Sequence, residues 1–232
     1  MLPRVLEPEV MDSVEEARDY DAMDHSTVNR VFVADFLAAW DGSNPILDVG
    51  AGTAQIPIEL CGQSPTAIVT AVDLAEHMLA VGRENVNRAG LHDRIRLERC
   101  DAKRLPHTTG AFGAVISNSI VHHIPQPAAV LAEMVRVTAP GGLLFVRDLL
   151  RPDDEATLGR LVELYAGQAN AHQQKMFADS LHAALALSEI GDLVAALGFD
   201  PSEVRQTTDR HWTWNTRRRA QDSVSRDPKG SA

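Results

Sequence analysis

The chain is 232 residues long, 44% hydrophobic, and carries a formal net charge of −10. That length suits one large α/β domain with its core between sheet and helices, and the acidic balance argues against a nucleic-acid partner, whose phosphates demand a basic surface. No apolar run approaches the roughly 20 residues that span a bilayer, the opening Met1-Leu2-Pro3-Arg4-Val5-Leu6-Glu7 lacks a basic-then-apolar signal, and Cys61 and Cys100 alone suggest no disulfide framework.

Residues 1–11, with Pro3 and Pro8, read as an irregular surface segment. From Ser13 to about Trp40 the pattern is helical, with a break near His25. Val28, Val31, Phe32, Phe36, Ala39 and Trp40 make one apolar stripe at three- and four-residue spacing. Asp41-Gly42-Ser43-Asn44-Pro45 is a stop signal before a first buried strand, Ile46–Val49. Gly50 and Gly52 allow the sharp turn that follows, and the next helix, Gln55–Cys61, would aim its free N–H groups at a ligand. Strands are then expected at 67–73, about 94–99, 112–118 and 139–146, with helices at 76–89 and 128–137 between them. Strand–helix alternation of this kind implies a parallel sheet with right-handed crossovers.

After the fifth strand, residues 151–185 carry two helical patterns around the polar stretch Gly167–Gln174. A further helix is expected from a Ser188 cap to Gly198. Short strands near 203–206 and 211–214 close the sheet as an antiparallel hairpin, with Trp212 and Trp214 packed on one face of it. The basic run Arg217-Arg218-Arg219 reads as the start of a disordered tail, 217–232. The division is therefore an N-terminal helical cap (1–43), a ligand-binding core (44–150), a helical insertion forming a lid (151–185), a C-terminal helix and hairpin (186–216), and the tail.

The order strand, GxG, helix, strand, Asp73 resembles the cofactor site of class I S-adenosylmethionine-dependent methyltransferases, small-molecule branch. A dehydrogenase fingerprint needs a small residue where Gln55 stands. The resemblance runs from about residue 44 to 150. It includes Cys100-Asp101-Ala102, the Asn118-Ser119-Ile120-Val121-His122-His123 segment, and the Pro140-Gly141-Gly142 turn. It implies a doubly wound, seven-stranded Rossmann-like α/β sheet with its last strand antiparallel, and S-adenosylmethionine as cofactor, leaving S-adenosylhomocysteine as product. Asp73, with Leu74 beside it, would accept the ribose hydroxyls. Asp48 would face the ammonium group, with Gly50 and Gly52 giving backbone approach. Asp101 and Ala102 would meet adenine, with Asn118 nearby. Tyr20 would close over the methionine part, as the Tyr20-Asp21 pair resembles one seen in relatives.

The acceptor side is less legible. His122, His123 and Asn118 are the catalytic candidates; a neutral imidazole accepts a proton near pH 7, and a structural histidine bonded to backbone explains either one equally well. Both cannot face the same way. His25, Arg147 and His172 are substrate candidates, although Arg147 beside Asp148 reads better as a salt bridge holding the insertion. No HxH, HExxH or paired-cysteine spacing occurs, so no metal is expected. The reading is a cytoplasmic enzyme that methylates a small metabolite in a mostly enclosed pocket, without nucleic-acid or membrane partners, as a monomer or homodimer. The alternatives are a protein that uses or senses the same cofactor without methylating, and a nicotinamide-dependent oxidoreductase.

Overall fold

The computed structural model describes residues 1–7 and 12–219. Two helices lead: α1 (Val14–Ala22) and α2 (Ser26–Ala39), broken at His25. The core alternates β1 (Ile46–Val49), α3 (Gln55–Gln63), β2 (Val69–Asp73), α4 (Glu76–Arg88), β3 (Ile95–Arg99), β4 (Phe112–Asn118), α5 (Pro127–Val137) and β5 (Thr138–Leu149). Helices α6 (Glu155–Ala166) and α7 (Ala171–Ala183) form the insertion. Helix α8 (Leu187–Ala196) and strands β6 (Val204–Gln206) and β7 (His211–Arg217) complete the chain.

The seven strands lie in the order β3-β2-β1-β4-β5-β7-β6, and β7 alone runs antiparallel to its neighbours β5 and β6. The expected fold class is the observed one. The order reverses between β1 and β4, where both helices that follow leave the sheet edge. Ligands of open α/β sheets bind at that switch point.

Strand alternation divides the core. Leu47, Val49, Val115 and Leu144 face α5 and α8, with Trp212 and Trp214 in the same cluster. Ile46, Ala114, Ile116 and Phe145 face Phe32, Val33 and Phe36 of α2 and Leu60 of α3. Both tryptophans are fully buried, so the hairpin is held by roughly 3–5 kcal/mol of packing per indole. The insertion has its own small core, Leu158 and Leu161 of α6 against Leu181 and Ala184, with Leu2 packed against it.

Three local expectations change. Helix α8 starts at Leu187, one residue before Ser188, because the Glu189 carboxylate accepts the Ala186 N–H at 2.9 Å and caps the end from inside. The basic run is not a solvated tail at its start: Arg217 ends β7 and bonds Asp41, while Arg218 is buried and donates to the carbonyls of Arg136 and Thr138. The rest of the expected tail, from 220, lies outside the described residues. The N-terminal segment is also more than a surface coil. Val5 N–H bonds the His182 carbonyl at 3.1 Å, and Arg4 donates to the carbonyls of Ala183, His122 and Ile124. Among the described residues no helix is long and apolar enough to cross a membrane.

Candidate active site

A cleft opens at the carboxyl edge of β1, β2 and β4, with an empty volume of about 850 Å³ counting its mouth, within the range of small-ligand sites. Its floor is the turn after β1. Gly50 has a φ of +78°, and a Cβ there would overlap the Ile120 side chain, so no other residue fits without moving that wall. Gly52 offers its N–H to the Asp73 carboxylate at 2.8 Å, and the other Asp73 oxygen accepts the Ala75 N–H at 2.9 Å. The acid at the end of β2 is thereby fixed over the turn, with further lone pairs left for a ligand. Burial raises its pKa, against the pull of these N–H groups.

Tyr20, Gly50, Gly52, Asp73, Leu74, Asp101, Ala102, Asn118 and His123 all line this cleft, so most of the sequence-predicted cofactor set comes together. Asp48 lies beneath it, 1% exposed, with Oδ2 lacking any hydrogen-bond partner. Burial, then the neighbouring Asp73 charge, push its pKa up to about 8. Tyr20 is pushed up to about 12 by burial and then by Asp73 and Asp48. The Asp101 carboxylate accepts the Lys103 N–H at 2.9 Å, so it forms the loop turn and faces the cleft at once.

The character of these groups tests the implied cofactor. Asp48, Asp73, Asp101 and the unpartnered Asn118 Oδ1 are acceptors or anions. S-adenosylmethionine presents the complement: ribose hydroxyls, an adenine amino group, an ammonium and a positive sulfonium. The crevice fits the sulfonium nucleoside; against a dinucleotide stands Gln55, where close helix–strand packing needs a small residue.

Beyond Asn118 the chain turns through Ser119, at φ +59°, into a single 3-10 turn, Val121–His123. The two imidazoles part company there. His123 lines the cleft, whereas His122 is 3% exposed, with Nδ1 bonded to Asp148 Oδ1 at 2.5 Å. Asp148 also accepts the Val121 N–H at 2.5 Å. Burial would lower the His122 pKa, but Asp148 outweighs it and the net direction is up. For Asp148, burial is likewise outweighed by His122 and the backbone N–H groups, and its carboxyl is held below the usual range.

Several candidates do not reach the site. Arg147 and Asp148 do not pair, because adjacent strand residues point to opposite faces. Arg147 is buried on the α2 side, bonded to Asp35 at 2.7 Å and to Thr213, and is no substrate clamp. His25 stacks on Tyr20 at 4.9 Å but lines a separate surface hollow with Asp21 and Gln55. His172 is exposed on the first turn of α7, and no insertion residue lines the cleft. The expected second wall is therefore not built by α6 and α7, which meet the site only behind the 3-10 turn.

Sequence reasoning missed Glu7 and Arg4. Glu7 Oε1 lies 3.0 Å from His123 Nδ1 and 3.5 Å from His122 Nε2, and accepts from Ser180 Oγ at 3.1 Å. Burial opposes ionisation of Glu7, but the adjacent His123 and His122 hold its pKa low. No periodicity or motif marks a residue that arrives from the far end of the chain.

Residues 46–142 match the family model of a methyltransferase domain. A demethylmenaquinone methyltransferase from Listeria welshimeri is 38% identical over 113 residues, 48% of this chain and 47% of that protein. The chain thus spans between a quarter and about half of the length of the curated relatives it matches. A solved SAM-dependent methyltransferase from Aquifex aeolicus superposes with a TM-score of 0.62 at 16% identity, over 90% of this chain and all of that one. The [4+2]-cyclase SpnF superposes at 0.58 and 17% identity, over 94% and 99%. At such identities the likeness is one of fold, and the cyclase shows that this fold also serves other reactions.

Proposed function

We propose that this chain, whose residues 46–142 match the family model of a methyltransferase domain, transfers the methyl group of S-adenosylmethionine to a small molecule. The carrying observation is Asp73, locked by the Gly52 and Ala75 N–H groups at the lip of an acceptor-rich cleft. The sulfonium brings its own leaving group, so the protein's task is to align the acceptor with the methyl carbon. Asp73 supplies hydrogen-bond acceptors to the donor, and Asp48, protonated in the free protein below about pH 8, ionises to meet its ammonium. Tyr20 closes one side. Asn118 and His123 face the acceptor from the end of β4, and His122 acts as a positioning residue through Asp148. The name of the Listeria relative, a methyltransferase for demethylmenaquinone, supports a small organic acceptor.

Calorimetric titration with S-adenosylmethionine should give affinity on the order of micromolar, and Asp73→Ala should weaken it at least about tenfold, the loss of roughly 1.4 kcal/mol. Undiminished binding by that variant would overturn the donor site. Bound donor with no adenosylhomocysteine formed across a panel of small hydroxyl, thiol and amine acceptors would instead favour a reaction that does not consume the methyl group.

A further inference from the structure

Among the described residues one trio of side chains can offer three ligand atoms to a metal ion: Glu7, His122 and His123, all three atoms within 4.8 Å of one another. We propose that this trio is a binding site for a divalent first-row transition-metal ion, set in the wall of the cleft.

The geometry is close to what such an ion requires. Zinc holds imidazole nitrogen and carboxylate oxygen at about 2.0–2.2 Å, which puts neighbouring ligand atoms about 3–3.5 Å apart. Glu7 Oε1 is 3.0 Å from His123 Nδ1 and 3.5 Å from His122 Nε2. Two edges of the ligand triangle are already at that spacing.

The outer partners agree. The Asp148 carboxylate accepts at His122 Nδ1 and keeps a proton on that nitrogen, so Nε2, on the Glu7 side, is the atom an ion would take in place of a proton. A carboxylate behind the distal nitrogen of a ligating histidine is the usual support of a metal-bound imidazole. His123 Nδ1 is buried and lies 3.0 Å from Glu7 Oε1. Two imidazoles and one carboxylate suit zinc, iron or cobalt rather than magnesium, which prefers oxygen ligands and its own water. Glu7 and Asp148 carry the two negative charges that balance such an ion. The nearby Arg4 is engaged with three carbonyls and places the segment that delivers Glu7. The spacing rules that exclude a metal along the sequence are silent on a ligand brought in from residue 7.

His123 lines the cleft while its Nδ1 is buried, so an ion here would sit behind the imidazole that faces the acceptor. It would hold that ring in one orientation beside the acceptor. That use rests on the proposed methyl transfer; ion binding itself does not.

The test is a titration of the untagged, chelator-stripped full chain with Zn2+ and, separately, Co2+, without S-adenosylmethionine. One equivalent should bind, Co2+ should develop visible ligand-field bands, and excess Mg2+ should not compete. Glu7→Gln and His123→Ala should each weaken binding at least about tenfold, and Asp148→Asn by a comparable factor through the supporting bond. His92→Ala, a change on the far surface, should leave it unchanged. Circular dichroism checks that each variant folds. Absence of stoichiometric binding at micromolar protein, or binding equally tight in Glu7→Gln and His123→Ala, would overturn the site. Because the readout is the ion alone, failure here is separable from failure of donor binding.

Discussion

Asp48 shows how a single residue can serve a ligand at the protein's expense. Its carboxyl is 1% exposed, unpartnered at Oδ2, and raised to about 8 by burial and by Asp73. The unfolded chain ionises such a group near 3.9, so between pH 4 and 8 the folded state holds a proton that the unfolded state has lost. Stability from this group therefore falls as pH rises through that window and levels off above it. Asp48→Asn should remove this group's share of the slope, about 1.4 kcal/mol per pH unit across that window, and so stabilise the free protein more at pH 8 than at pH 5, read by urea denaturation at both. The same substitution should weaken S-adenosylmethionine binding. In the wild type, affinity should climb from pH 6 to 8 as the acid ionises to meet the ammonium. A flat binding profile would place the ammonium elsewhere. The sequence marks Asp48, Gly50, Gly52 and Asp73 as candidates because each depends on its immediate neighbours: a strand end, a turn needing positive φ, the tip of the next strand. It misjudged Arg147 because the alternation of β5 sends that side chain to α2 and Asp148 to His122.

Elements were legible wherever a period was written into them. The apolar runs of β1, β2, β4 and β5 predict buried strands, and the structure buries them; the α2 stripe holds at Phe32 and Phe36 but leaves Val31 48% exposed and buries Val33 instead. Residues 1–7 have no period, yet they form a strap whose Arg4 joins α7 to the 3-10 turn through Ala183, His122 and Ile124. Such a segment is fixed by partners remote in sequence, which no local pattern encodes. Arg4→Met keeps the aliphatic stem and removes every donor. It should cost about 1–3 kcal/mol and speed amide exchange at Val5, whose N–H bonds His182. Exchange at Val5 unchanged from the wild type would mean the strap is held by Leu2 against the α6–α7 cluster and not by Arg4.

At the scale of the molecule, the cleft is where separate parts of the chain converge. Tyr20 comes from the helical cap, Gly50 and Gly52 from the turn after β1, Asp73 from β2, Asp101 from the loop after β3, and Asn118 from β4. A ligand touching all of these ties the cap to the sheet, and it can do so only in the folded state. Binding to the native state alone adds about 2.7 kcal/mol at a hundredfold excess over Kd. For a chain of this size each kcal/mol moves Tm by roughly 2–4 °C, so S-adenosylmethionine at that excess should raise Tm by about 5–10 °C. Asp73→Ala at the same donor concentration should lose about half of that rise, because a tenfold weaker site retains only about half of the stabilisation. NADH should produce none, since Gln55 stands where a dinucleotide turn needs a small residue. A comparable rise with NADH would mean that this position does not select the ligand, and the assignment of the cofactor would fail with it.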